Sequence, residues 1–172
     1  MSEIIEKVKS ELSGLIDAEK VGAVLGLGNE FKQDGITPVQ AIARILNILP
    51  KTYVKCFQLP LGSEQHVLPE VLATKPEYLL LIDMIDQDKP PGTFIVITKD
   101  ELLSENNPGV FTKEPSISKF LQSLPNIKVV AIGLQGKSID FGVAQSAELA
   151  KAENELIDML EQIGVFKKKE EE

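Results

Sequence analysis

The sequence predicts a three-layer α/β/α sandwich built on a mainly parallel, twisted sheet of about five strands. Three observations predict it. Several strand-length runs are apolar throughout, among them "VGAVLGLG" at 21–28 and "YLLLIDMI" at 78–85, and a strand apolar on both sides must be covered on both sides. The segments between them carry apolar residues at helical spacing. Strands that alternate with helices build parallel sheets through crossover connections.

Ile4, Ile5, Val8, Leu12, Leu15 and Ile16 recur at helical spacing. Residues 1–18 therefore predict an amphipathic helix packed on the domain, with a partner groove as the alternative use of its stripe. Residues 19–164 form a single domain, and 165–172 a charged, solvated tail in which "KKK" runs into "EEE". After the first strand, Thr37 predicts an N-cap, with Pro38 at the first helical position and Gln40 completing a capping box. Val39, Ile42, Ile45, Leu46 and Leu49 give that helix one apolar face, and Pro50 stops it.

"TYVKCFQL" reads as a second strand, and "SEQHVLPEVLATK" as a short helical turn whose regularity Pro69 limits. "YLLLIDMI" is a central strand, "DQDKPPG" a loop and "TFIVIT" a strand returning beside its neighbour. "SISKFLQSL" is a short helix and "IKVVAIGL" a further strand. The last helix starts near Ser146, turns Leu149, Ala152, Leu156, Leu160 and Ile163 inward, and stops at Gly164.

The 172 residues allow one domain with a substantial core, and 43% apolar with 26% charged residues is a globular composition. A net charge of −8 argues against a nucleic-acid groove. The single Cys56 excludes an internal disulfide and a cysteine-based zinc site. The opening "MSEIIEKVKSEL" lacks the apolar region of a signal peptide, and no apolar run is of membrane-spanning length. A cytoplasmic location is the expectation.

In a sheet of this kind ligands gather where loops converge at the carboxyl ends of the strands. Asp34 follows the first strand, and Asp83 ends the apolar run of the third. Two carboxylates at neighbouring strand ends could share one divalent cation. Asp34 is equally readable as an Asp-Gly turn residue, and Asp83 as a cap for nearby amides, although a carboxylate there needs partners. A dinucleotide fingerprint fails because Phe31 stands where its third glycine belongs, and no Gly-Lys-Ser/Thr makes a Walker loop. His66 is the only histidine; its ordinary reading is a half-exposed helix residue, and that of Cys56 is a buried, inert thiol. Gly26 and Gly28 are expected to let the chain turn sharply after its strand, with Asn29 holding the turn. The segment from about 99 to 118, with Asn106, Asn107, Pro108 and Gly109, reads by default as a static surface loop, with rearrangement when a partner docks as the alternative.

Three stretches together, "GLGNEFKQDG" at 26–35, "LLLIDMIDQDKPPGT" at 79–93 and "VVAIGLQGKSIDFG" at 129–142, resemble the hydrogenase maturation proteases. These endopeptidases trim the large subunits of nickel–iron hydrogenases. Archaeal members with an extra N-terminal helix are the most similar, and the resemblance spans about residues 21–163. It implies a cytoplasmic protease whose partner is the large-subunit precursor. That precursor carries the nickel, and its C-terminal extension is removed; no firmly bound cofactor is implied.

The family looks to metal through two carboxylates and a histidine. The resemblance makes Asp34 and Asp83 the candidate catalytic and metal-binding pair. The family usually has an acid pair before the loop glycine; here "QDG" stands, so either one residue is lost or the second acid has become Gly35. Lys113 occupies the histidine's place in "FTKEPSIS", and a protonated lysine cannot ligate metal. Its ammonium would instead sit between the two carboxylates, while His66 is the alternative third ligand. Asn29 and Lys113 are the candidate substrate contacts. The expected activity is endopeptidase cleavage; the alternative is an impaired member that binds a hydrogenase subunit without cutting it.

Overall fold

The computed structural model describes residues 1–48, 53–142 and 144–167. Its strands are β1 (Gly22–Gly28), β2 (Val54–Pro60), β3 (Tyr78–Ile85), β4 (Phe94–Thr98) and β5 (Lys128–Gln135). They form one sheet in the order β2-β1-β3-β5-β4. All neighbours are parallel except β4, which runs antiparallel along β5. The helices are α1 (Ser2–Glu11), α2 (Thr37–Ile48), α3 (Glu64–Ala73), α4 (Lys99–Leu102), α5 (Pro115–Gln122) and α6 (Ala147–Ile163), with a 3₁₀ turn at Gln33–Ile36.

Alternation along the strands feeds two cores. Val24, Leu80, Ile82, Val130 and Ile132 face α1, α2 and α6, whereas Leu25, Leu79, Leu81 and Ala131 face the side of α5 and Val71 of α3. The three layers and the central place of β3, buried at every position, agree with the sequence reading. The first helix is shorter than its apolar pattern: it ends at Glu11, and turns from Leu12 on, with Gly14 at φ +76°, carry Ile16 into the same core. Val165 and Phe166 are buried in that core too, so packing continues past Gly164, the left-handed cap of α6.

Three local readings are corrected. Thr37 is not the free cap of α2: the 3₁₀ turn leads directly into the helix, and the buried Thr37 hydroxyl accepts from Gln145 Nε2 at 2.9 Å. Pro69 does not limit α3, which runs ten residues through it; Pro69 is exposed, so water can reach the carbonyl it leaves unpaired. Gly26 and Gly28 lie within β1 and make no turn. A Cβ on Gly26 would stand 2.3 Å from the Pro38 carbonyl oxygen, and one on Gly28 2.4 Å from that of Gly35. They are glycine so that the start of α2 can lie on the sheet. Leu49 and Pro50, expected to end that helix, lie outside the described residues.

Tyr78 packs its ring over Gly22, its register partner on β1, where a Cβ would come within 2.0 Å of the ring. The Tyr78 hydroxyl is buried without a hydrogen-bond partner among the described residues, and burial pushes its pKa up to about 12. A folded-state pKa above the unfolded value means that this group's contribution is intact below about pH 10 and is lost as pH rises towards 12. Tyr78→Phe should therefore equal or exceed the parent's stability at neutral pH by about 1 kcal/mol, and denaturant unfolding should show a shallower alkaline loss.

Candidate functional site

β1 has β2 on one side and β3 on the other, so the chain reverses direction across the sheet there, and such a point opens a crevice at the strands' carboxyl ends. Asp34 and Asp83 are both delivered to this end of the sheet, and both are buried, at 1% and 0% exposure.

Asp34 is reached by a tightly tied loop. Asn29 Oδ1 accepts from the Phe31 amide at 2.9 Å, and the Asn29 amide donates to the Gly35 carbonyl at 3.0 Å. Asn29 thus holds the loop, as its sequence position suggested. The Asp34 carboxylate then accepts four hydrogen bonds. Oδ1 takes the Ser146 amide at 2.7 Å; Oδ2 takes the amides of Lys137 and Ser138 at 2.8 and 3.2 Å and the Ser146 hydroxyl at 3.0 Å. Ser146 is also the N-cap of α6 and accepts from the Leu149 amide. A negative group there faces the positive end of a 17-residue helix. The neighbouring residues complete the seam: Gln33 donates its amide to Gly142, and Gly142 to Phe31.

Asp83 ends a different network. Oδ1 accepts the amides of Met84 and Phe111 at 2.8 and 3.0 Å; Oδ2 accepts the Thr112 amide at 3.0 Å and its hydroxyl at 2.8 Å. Asn107 Nδ2 donates to the Thr112 hydroxyl, and Asn107 Oδ1 accepts from Gly109. Burial raises the Asp83 pKa, opposed by the Thr112 and Phe111 amides, the Thr112 hydroxyl and the Met84 amide. Residues 107–112 are therefore a buried strap over the end of β3 rather than an open loop, and Asn107 and Thr112 are 4% and 0% exposed. The sequence signal was present in "NNPGVFT": short side chains that bond backbone, around a glycine. What it lacked was any sign that their partner is Asp83.

The structure brings the two aspartates to one end of the sheet but shares no partner between their networks. His66 lies exposed on α3, and Lys113 is exposed beside Thr112. Ion pairs among the described residues join Arg44 to Glu153, Lys137 to Glu148 and Lys151 to Glu155, and none includes Lys113. The residues do not suit a divalent cation. Each carboxylate spends its acceptor capacity of about four sites almost entirely on N–H and O–H donors, and no three His, Cys, Asp or Glu side chains converge among the described residues.

Beside Asp34 a polar cleft of about 330 Å³ opens at the ends of β3 and β5, between Asp86, Asp88 and Lys89 on one wall and Gln135, Lys137 and Ser138 on the other. Gln135 braces it, accepting from the Gln87 amide and donating to the Gly136 carbonyl. A hollow of about 370 Å³ lies at the opposite end of β5, around Lys99 and Pro125. It holds none of the residues singled out above, so the strand-end cleft is the candidate site. Two exposed rings stand on the loops of that end: Phe31 and Phe141, with Lys32 Nζ 3.9 Å from the Phe141 centroid.

No family model matches the chain. It is 26% identical over 153 residues to a putative hydrogenase maturation protease of Methanocaldococcus jannaschii, across 84% of this chain and 90% of that one. A second putative hydrogenase maturation protease of that organism is 35% identical over 95 residues, 52% of this chain and 60% of the other. In fold the chain is similar to the crystal structure of the [NiFe] hydrogenase maturation protease HycI from Thermococcus kodakarensis. The TM-score is 0.71 at 17% identity, covering 92% of this chain and 98% of that one.

Proposed function

We propose, from the premise that this chain belongs to the hydrogenase maturation protease family, that it acts on the precursor of a nickel–iron hydrogenase large subunit. As an endopeptidase it removes the precursor's C-terminal extension once nickel is in place; the nickel belongs to the precursor as cargo. The observation that carries this reading is the central strand β3, which carries Asp83 within the resembling stretch 79–93 and ends at a polar cleft that it shares with β5. Lys89 and Lys137 on its walls can meet a peptide's carboxylates or carbonyls, and Asp86 and Asp88 its amides or basic side chains. The cytoplasm is the compartment this reading requires. Among the described residues no helix is long and apolar enough to cross a membrane.

A second reading is favoured by one specific observation: all four acceptor sites of Asp83 are already engaged. A chain with Lys113 where the family it resembles places a histidine, and with Asp83 strapped down, would hold the precursor without cutting it. One experiment separates the two. The protein is mixed with nickel-loaded precursor and the products are weighed by mass spectrometry. Loss of a tail supports the endopeptidase, and its disappearance in an Asp83→Asn variant with unchanged circular dichroism supports a part for Asp83 in it. A stable complex of unchanged mass supports the binder, and the absence of both cleavage and association would end the proposal.

A further inference from the structure

The two aspartates offer a more definite assignment than the family position alone. Six of their eight donors are backbone amides. A backbone N–H cannot turn aside as a side chain can: a cation approaching the same oxygens must move whole loops and leave those buried amides unpaired. The surroundings are shaped for the carboxylates and not for an added ion. Gly109 lets the strap close on Asp83, since a Cβ there would lie 2.4 Å from Oδ2 and 2.1 Å from the Thr112 hydroxyl. Gly35 leaves the position after Asp34 without a side chain, and a Cβ would meet that of Lys32 at 2.9 Å.

We infer that Asp34 and Asp83 are internal clasps, fastening the ends of β1 and β3 to segments 137–146 and 107–112, and that the free chain holds no divalent cation through them. Asp34 joins three segments, the 3₁₀ turn, the loop after β5 and the start of α6; Asp83 joins β3 to the strap. The assignment is independent of whether the chain cuts a precursor, and its test needs none.

Calorimetric titration of the metal-free protein with nickel, zinc and cadmium ions should give no saturable heat that depends on either aspartate. Amide hydrogen exchange should show Met84, Phe111, Thr112, Lys137, Ser138 and Ser146 protected, and equally protected with the ion in excess. Gly109→Ala, which leaves both carboxylates in place, should speed exchange at Phe111 and Thr112 by about tenfold or more. Stoichiometric ion binding that is lost in Asp83→Asn and accompanied by deprotection of the Phe111 and Thr112 amides in the parent would overturn the assignment. So would unchanged protection of these two amides in Gly109→Ala. The parent's exchange pattern with and without ion decides the question even if Asp83→Asn does not fold.

Discussion

Asp34→Ala should destabilise the protein by about 3–5 kcal/mol, the range expected when a buried charge that satisfies several donors is removed. Three amides and a hydroxyl lose their acceptor together, and the amino end of α6 loses the anion that faces it. Against a total of about 5–15 kcal/mol for a domain, that is a large share. Asp34→Asn keeps the shape and one acceptor oxygen but turns an NH₂ towards N–H donors, so it should recover only part of the loss. Urea unfolding monitored by circular dichroism gives both values. A loss under 1 kcal/mol for the alanine variant would mean that the loops after β5 hold together without Asp34.

Gly26→Ala should cost about 3 kcal/mol, the upper end of the usual overpacking range, by a different mechanism. The new methyl would stand 2.3 Å from the Pro38 carbonyl oxygen and 2.6 Å from Ile42 Cγ1, and overpacking against backbone cannot be relieved by a rotamer change. The start of α2 must back away from the sheet and take Thr37, and its bond to Gln145, with it. Pairing the substitution with Ile42→Ala, which deletes Cγ1, removes only the softer of the two collisions and opens a cavity of its own. The double variant should therefore regain little, and full recovery in thermal unfolding would show that the side chain, not the carbonyl, sets the spacing.

These cases show what the sequence made legible. Runs such as "YLLLIDMI" and the heptad-like spacing of α6 report burial directly, so layers, strands and the stop at Gly164 could be read from local pattern. The identity of Gly26 was legible but its reason was not, because the atom it avoids belongs to Pro38, on another element. Asp34 and Asp83 were legible as unusual acids at strand ends. Their partners were not, since nothing in the sequence around Ser146 or Thr112 points to a distant acid, and they meet the acids only after the chain has folded. Residues 107–112 resembled an open loop for the same reason: their polarity is spent on an internal acceptor that no window of sequence contains.

The seam at Asp34 closes contacts across 103 to 112 positions of the chain, and Arg44 meets Glu153 across 109. During synthesis the first half of the protein must therefore wait, its acid still hydrated, until the last helix has emerged. Long-range closures of this kind are slow because chain entropy is surrendered before the contacts that repay it exist. The strand-end cleft is thus a late product of folding, and an incomplete chain carries the sheet's first strands without the loops that wall it.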